Sequence, residues 1–256
     1  MYLPRIIPVL LLKDKGLVKS INFNNHRYIG DPINAVKIFN DSYADELTFL
    51  DISASSNKTI NYAVIQNIAE EANMPFSYGG GIDALSQIEK LVKIGVEKVV
   101  LGSIACQNPA FVADAAKEFG SSTVCVCVDI KKNFWGKYTV VHSNAIKSGS
   151  LNYLDFVKQM EEVGAGELII QDVNLDGTQQ GYNLNLIDQI SKITAIPIVA
   201  LGGAGNYEHL KTLNASTVVN GLAAGSLFIY HGSRNGILIN YPTIQEKYNI
   251  LSNEDM

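Results

Sequence analysis

Residues 46–51 read ELTFLD and residues 167–172 read ELIIQD, so the same strand-like segment occurs twice, 121 positions apart (172 − 51). The stretch PFSYGGG at 75–81 has a counterpart in PIVALGG at 197–203, and Gly102-Ser103 has one in Gly225-Ser226. A series of similar segments repeated at spacings of 121 to 123 residues indicates that two copies of one structural unit are joined. The sequence therefore predicts two similar halves.

Short apolar runs separated by longer amphipathic stretches extend this pattern along the chain. Continuous apolar runs are typical of parallel strands that are buried on both faces. The predicted strands are Ile6–Leu11, Leu47–Leu50, Pro75–Tyr78, Val99–Leu101, Thr123–Val128, Leu168–Gln171, Pro197–Leu201 and Thr217–Val219. Helical patterns lie between them, the first opening at Asp31-Pro32, an N-cap acid before a proline. Strict alternation predicts one α/β domain over residues 1–256, a (β/α)8 TIM barrel built from two half-barrels.

Two segments interrupt the alternation. Residues 13–30 are predicted to form a long polar loop after the first strand. Residues 131–143, KKNFWGKYTVVHS, are predicted to form a small hairpin after the fifth strand. Both follow the carboxyl ends of strands, and barrel enzymes carry their chemistry at that rim.

Composition limits the function classes. The chain has 47% hydrophobic and 18% charged residues, as soluble globular proteins do, and its net charge of −5 argues against nonspecific nucleic-acid binding. The first apolar run is too short to span a bilayer, so no membrane partner is expected. Cys106, Cys125 and Cys127 form no disulfide framework; the last two are expected to be buried small side chains, and the expected compartment is a reducing cytoplasm.

Histidine spacing gives no sign of a metal site. No metal or other cofactor is therefore expected, and all the histidines are interpreted as having no ligand role. They are His26, His142, His209 and His231.

Glycine-rich loops predict anion binding at the rim. Each half has a glycine pair after its third strand and a Gly-Ser pair after its fourth, where a helix begins. Glycine lets backbone N–H groups approach an anion, and a helix N-terminus adds positive partial charge. Two such sites suggest a ligand with a phosphate at each end; the alternative is that these glycines only form tight turns. The candidate phosphate-binding residues are Gly80, Gly81, Gly102, Ser103, Gly177, Thr178, Gly202, Gly203, Gly225 and Ser226.

Aligning the two halves places Leu11 opposite Asp129. Asp129 ends a strand inside the rim, which suits general acid–base catalysis; a structural carboxylate is the alternative. Leu11 cannot transfer a proton, so the symmetric barrel has one catalytic carboxylate where it offers places for two. Further rim candidates for ligand contact, with plain structural or solvated roles as the alternative, are Lys19, Asp51, Asp172 and Asp176.

Four charged residues directly precede or begin buried runs at the opposite, amino-terminal ends of the strands. Their alternating signs predict a closed ring of ion pairs at the barrel bottom, with simple solvation of the strand ends as the alternative. They are Arg5, Glu46, Lys98 and Glu167.

Several segments resemble the cyclase subunit of imidazole glycerol phosphate synthase, among them PFSYGGGI at 75–82, GAGELIIQDVNLDGTQQGY at 164–182 and PIVALGGAGNYEH at 197–209. The resemblance implies a heterodimer with a glutaminase. Ammonia would then pass through the barrel to a phosphoribulosyl-formimino nucleotide, giving imidazole glycerol phosphate and an aminoimidazole carboxamide ribotide. It also implies phosphate binding by the glycine loops, acid–base work by Asp129, an ammonia gate at the charged ring, and glutaminase docking at Glu97.

Two positions depart from that family's pattern. The first catalytic aspartate is Leu11, and a phosphate-loop pair that is usually Asn-Thr is Gly102-Ser103. Losing a proton-transfer group typically costs about 10²–10⁴-fold in rate. The pattern resembles a divergent branch in which a separate amidotransferase adds nitrogen to an acidic or acetamido sugar of a surface polysaccharide such as lipopolysaccharide. The alternatives are a genuine cyclase of histidine biosynthesis and a non-catalytic docking scaffold.

Overall fold

The computed structural model describes residues 3–141, 151–232 and 234–252, and these form a closed (β/α)8 TIM barrel. The strands are β1 (Arg5–Lys13), β2 (Gly16–Ile21), β3 (Asn24–Gly30), β4 (Leu47–Asp51), β5 (Phe76–Gly79), β6 (Lys98–Leu101), β7 (Val124–Lys132), β8 (Tyr138–Val141), β9 (Glu167–Asp172), β10 (Ile198–Leu201), β11 (Gly221–Ala224), β12 (Tyr230–His231) and β13 (Gly236–Ile237). Parallel pairing runs from β1 through β4, β5, β6, β7, β9, β10 and β11, and β11 pairs with β1 to close the barrel.

Helices cover the outside of the barrel. Asp31 caps the first helix by accepting hydrogen bonds from the backbone N–H groups of Ile33 and Asn34, and Pro32 begins it, which confirms the predicted start. The helices are α1 (Pro32–Asp41), α2 (Ile52–Asn57), α3 (Tyr62–Glu71), α4 (Leu85–Ile94), α5 (Ser103–Gln107), α6 (Pro109–Phe119), α7 (Tyr153–Glu162), α8 (Leu184–Ser191), α9 (Tyr207–Ser216), α10 (Ser226–Ile229) and α11 (Ile244–Leu251). Among the described residues, none lies in a helix long and apolar enough to cross a membrane.

The predicted eighth strand at Thr217–Val219 is wrong. Thr217 is the C-cap residue of α9, with its N–H donating to the carbonyl of Leu213, and Val218 is 79% exposed. The eighth barrel strand is β11, four residues later. A Cβ atom on Gly221 would lie 2.8 Å from a methyl group of Val199, so little room exists there for a larger side chain. A strand of small residues gives a weak apolar signal, which is why the sequence pattern missed it.

The predicted polar loop at 13–30 is also wrong, because these residues form the β2–β3 hairpin beside β1. Leu11 pairs with Val18, and Leu17 and Val18 are buried. The hairpin predicted at 131–143 is confirmed over 131–141, where β7 and β8 pair in antiparallel fashion. Its last two residues, and with them His142, lie outside the described residues.

Two layers of apolar packing set the direction of each strand side chain. Leu10 and Leu12 join the large core between strands and helices, and both are 1% exposed. A smaller cluster fills the barrel interior, and it contains Ile7, Val9, Val100, Cys125, Ile169, Val199, Leu201 and Ala223. Alternation along β1 therefore turns Leu11 inward, toward the rim. Cys125 is buried as expected, whereas Cys127 is only partly buried.

Candidate active site

A cavity of about 300 Å3 opens at the carboxyl ends of the barrel strands. It is large enough for a small-molecule ligand. It brings together residues of both half-barrels that the sequence had singled out. Among its lining residues are Leu11, Asp51, Gly80, Gly81, Gly102, Ser103, Asp129 and Asp176.

A second, much smaller cavity of about 20 Å3 is lined mainly by loops of the second half-barrel. Its lining includes Lys19, Asp176, Gly177, Gly202, Gly203, Gly225 and Ser226. The two cavities share Leu11, Leu50, Gln171 and Asp176, so they are neighbours on one rim. The glycine loops of both half-barrels therefore lie at the same open end of the barrel.

The glycines do not all have the same reason to be glycine. A Cβ atom on Gly80 would lie 2.2 Å from the carbonyl oxygen of Asp51, and one on Gly203 would lie 2.0 Å from that of Gly181. Both have positive φ, so the fold itself requires them. A Cβ atom on Gly102 would meet nothing within 4 Å, although Gly102 lines the larger cavity. Local backbone packing therefore leaves space at Gly102 for a ligand.

The smaller cavity contains polar groups that suit an anion. Lys19 is 6% exposed, and its Nζ atom lies 3.5 Å from Oδ1 of Asp176. Ser226 is 4% exposed, and its hydroxyl has no hydrogen-bond partner among the described residues. A buried hydroxyl without a partner is unfavourable, and an anion would satisfy it.

Three aspartates lie at or near the carboxyl ends of barrel strands, and two of them, the last residues of β4 and β9, have structural hydrogen bonds. Asp51 accepts from the backbone N–H of Ala54 and from the hydroxyl of Tyr78. Asp172 accepts from the backbone N–H of Asn174 and from the side-chain amide of Asn183, at 2.9 and 2.7 Å.

Asp129 is different. Among the described residues, its carboxylate accepts one side-chain hydrogen bond, from the thiol of Cys127, with Sγ 3.6 Å from Oδ1. Burial raises the pKa of Asp129 to about 7, against a lowering by the Cys127 hydrogen bond and with a further increase from nearby Asp176. A cavity-lining carboxyl group that titrates near neutral pH suits general acid–base catalysis.

Some candidates have other roles. Thr178 lines neither cavity and donates its hydroxyl to the carbonyl of Leu175. Asp14, the first carboxylate after Leu11 in the chain, is exposed and is held by Ser53, whose hydroxyl donates to its carboxylate. His26 was interpreted as having no ligand role, yet it lines the larger cavity. His209 accepts a hydrogen bond from the backbone N–H of Gly205.

The four charged residues at the barrel bottom form a closed ring. Arg5 donates to both Glu46 and Glu167. Lys98 Nζ lies 3.2 Å from Glu46 and 3.0 Å from Glu167. Burial lowers the pKa of Lys98, but Glu167 and Glu46 outweigh it and hold that pKa above its ordinary value. Glu97 is exposed beside this ring.

The fold and its rim define a TIM barrel with loops suited to anions at one end and a ring of ion pairs at the other. A family model for the histidine biosynthesis protein matches residues 5–234. The chain therefore belongs to this family, and more narrowly to its HisF-like cyclase subunits, which confirms that resemblance.

Individual relatives agree with this assignment. A Leptospira borgpetersenii protein, provisionally named an imidazole glycerol phosphate synthase subunit HisF, is 47% identical over 246 residues, covering 95% of this chain and 97% of its own length. A Vibrio vulnificus protein, provisionally named the hisF3 subunit, is 42% identical, covering 95% and 94%. The Streptococcus mutans imidazole glycerol phosphate synthase subunit HisF is 36% identical over 227 residues, covering 88% and 90%.

Sequence reasoning missed several features of the site. It named Lys19 as a rim candidate with solvation as the alternative, but it did not predict that Lys19 is buried against Asp176, 157 positions away. It also gave no role to Gln171, Lys58 or the thiol of Cys127, which all line the larger cavity. The adjacency of Cys127 and Asp129 on one strand face was a usable signal for the last of these.

Proposed function

We propose that this chain is a synthase subunit that receives ammonia from a glutaminase at the barrel bottom and channels it to a phosphorylated or sugar acceptor at the rim. The closed ring of ion pairs carries this proposal. Glu46 and Glu167 are buried, whereas Arg5 and Lys98 are partly buried. Charged groups removed from water are costly unless they are paired, so we interpret the closed ring as a gate rather than as solvated strand ends. The proposed compartment is the cytoplasm.

The barrel interior is consistent with passage of a neutral molecule. Above the ring, the interior cluster is made of apolar and small side chains, among them Val100, Cys125 and Ala223. Such a lining favours ammonia over the ammonium ion, because a charge loses its hydration there. At the rim, a nitrogen that has added to an electrophilic carbon must lose a proton, and the Asp129 carboxylate is the proposed base.

The finer version of the proposal is amidination of a lipopolysaccharide sugar. A third protein, an amidotransferase, would act together with this chain and the glutaminase. Leu11 supports it, because a side chain that transfers no proton stands where the resemblance to the cyclase implies an aspartate. The second candidate is the cyclase reaction itself. It is favoured by Asp176, a buried carboxylate that lines the same cavity as Asp129. If the chain were only a docking scaffold, it would transfer no nitrogen.

Replacing Lys98 by alanine tests the gate. Glu46 and Glu167 would keep only Arg5 as a cationic partner in the ring. We expect the variant to lose up to about 3–5 kcal/mol of folding free energy and to hydrolyse glutamine without delivering the nitrogen. The coupling is measured as the ratio of glutamate released to nitrogen transferred by the complex with the glutaminase. The folding free energy is measured by denaturant unfolding.

Lys93→Ala is the matched control, because Lys93 pairs with Glu89 on the surface of α4, where its side chain is 70% exposed. Such exposed pairs contribute little, so this variant should stay coupled and stable. Hydrolysis and transfer that remain coupled in Lys98→Ala would sink the gate proposal.

Ser226→Ala tests anion binding in the smaller cavity. Removing a buried hydroxyl without a partner should leave the phosphate-free protein as stable as before, or slightly more stable. The same change should reduce the gain in melting temperature that inorganic phosphate produces, because one donor to the anion is lost. Equal phosphate-dependent stabilisation of both proteins would argue against an anion at Ser226.

Gly102→Ala makes the equivalent test in the larger cavity. Its added methyl group meets no protein atom within 4 Å and extends into space that a ligand would use. We therefore expect weaker phosphate binding, measured by calorimetry, in a variant that folds normally. Unchanged binding of phosphate by this variant would place the anion elsewhere.

A further inference from the structure

Cys127 and Asp129 are two positions apart on β7, so their side chains lie on the same face of the strand. Both line the larger cavity, and the thiol donates to one oxygen of the carboxylate. Asp51 and Asp172, by contrast, each accept two hydrogen bonds, one from a backbone N–H and one from a side chain. Among the described residues, a thiol is therefore the one side-chain donor to the candidate base.

We propose that Cys127 is a positioning residue for Asp129, whose carboxylate it orients through a weak hydrogen bond without removing its ability to accept a proton. The inference rests on the proposed function, in which Asp129 takes a proton from the incoming nitrogen. A thiol is a weak donor. Two or three backbone N–H donors would stabilise the carboxylate so strongly that it would be a poor base.

The charged and titratable groups around Asp129 act on its protonation together with this weak donor. Asp176 faces it from the loop after β9 and is itself paired with Lys19. Cys106 faces it from α5, and Asp51, His26 and Lys58 line the same cavity. Burial and the neighbouring carboxylate favour the protonated form of Asp129, whereas the Cys127 hydrogen bond favours the ionised form.

The thiol stays protonated in this arrangement. Burial raises the pKa of Cys127 well above its ordinary value, and the negative charge of Asp129 raises it further. Cys127 therefore acts as a hydrogen-bond donor and not as a thiolate nucleophile.

The test is to follow the titration of Asp129 directly, by NMR of protein labelled with 13C at the aspartate carboxyl carbon, with Asp129→Asn used to assign the signal. In Cys127→Ala, we expect the midpoint to rise by about half a pH unit or more, because one hydrogen bond to the ionised form is lost. In Cys127→Ser, we expect it to fall below that of the unmodified protein, because a hydroxyl is a stronger donor.

Cys125→Ala is the matched control. Cys125 lies on the same strand face, two residues deeper, and is 1% exposed, so it tests for general effects of a lost buried thiol. The inference is overturned if Cys127→Ala leaves the midpoint unchanged or if Cys125→Ala shifts it equally. The titration needs no substrate. A shifted midpoint in a protein that transfers no nitrogen would therefore support the positioning role and count against the proposed function alone.

Discussion

Asp129→Asn is expected to lower nitrogen transfer by at least about 100-fold, because asparagine cannot accept the proton that the new nitrogen must lose. The rate of the unmodified protein should rise with pH through about 7, the value to which burial raises the pKa of Asp129. The measurement is the pH dependence of transfer with ammonium chloride as the nitrogen source, which bypasses the glutaminase, with the total concentration adjusted at each pH so that un-ionised ammonia stays constant. A pH-independent rate between 6 and 8 would argue against Asp129 as the base.

The same variant should be more stable than the unmodified protein at neutral pH. The ordinary pKa of an aspartate is 3.8, so between about 4 and 7 the folded protein keeps a proton on Asp129 that the unfolded chain has released. The free energy of unfolding therefore decreases as pH rises through that window, and asparagine removes this loss. Melting temperatures of the two proteins should converge near pH 4 and diverge towards pH 7.

Asp172→Asn is the control for position. Asp172 also ends a barrel strand, but it accepts a backbone N–H and a side-chain amide. Removing its charge weakens both hydrogen bonds, so this variant should be less stable. Opposite effects of the two substitutions on stability would separate a functional carboxylate from a structural one. A stability loss in Asp129→Asn would instead indicate a structural role for Asp129.

Leu11→Asp is expected to raise the cyclase rate by about 100-fold or more over the unmodified protein, which should make little or no imidazole glycerol phosphate. Leu11 lines both cavities, so an acid there would face the same mouth as Asp129. Its neighbours Leu10 and Leu12 point into the outer core and cannot replace it. The measurement is imidazole glycerol phosphate formed from the phosphoribulosyl-formimino nucleotide with free ammonia.

Leu11→Asn is the matched control, because it has nearly the volume and polarity of the aspartate but transfers no proton. Activity in Leu11→Asp but not in Leu11→Asn would show that position 11 lacks only an acid. Robust turnover by the unmodified protein would contradict this prediction. It would favour the genuine cyclase, with Asp176 as the remaining candidate for the second group.

Local patterns in the sequence determined the barrel and the placement of its chemical groups at one end or the other. Buried parallel strands give continuous apolar runs, so the ends of those runs could be located, with Glu46 and Glu167 at one end and Asp129 at the other. The internal repeat located the glycine loops and matched Leu11 with Asp129. Where the apolar run was lost, as in the small residues of Gly221–Ala224, the strand was misplaced.

Only the tertiary structure decided how these groups are paired. The ring joins Arg5 to Glu167 across the barrel, and Lys19 reaches Asp176 through the β2–β3 hairpin. It also separated Gly203, which a close backbone contact requires, from Gly102, which faces open space. The contacts of Arg5 with Glu167 and of Lys19 with Asp176 join residues more than 100 positions apart, and all of these contacts depend on strand register and barrel closure. No local pattern of residues encodes them, because the same side chains would be solvated in a chain that had not closed into a barrel.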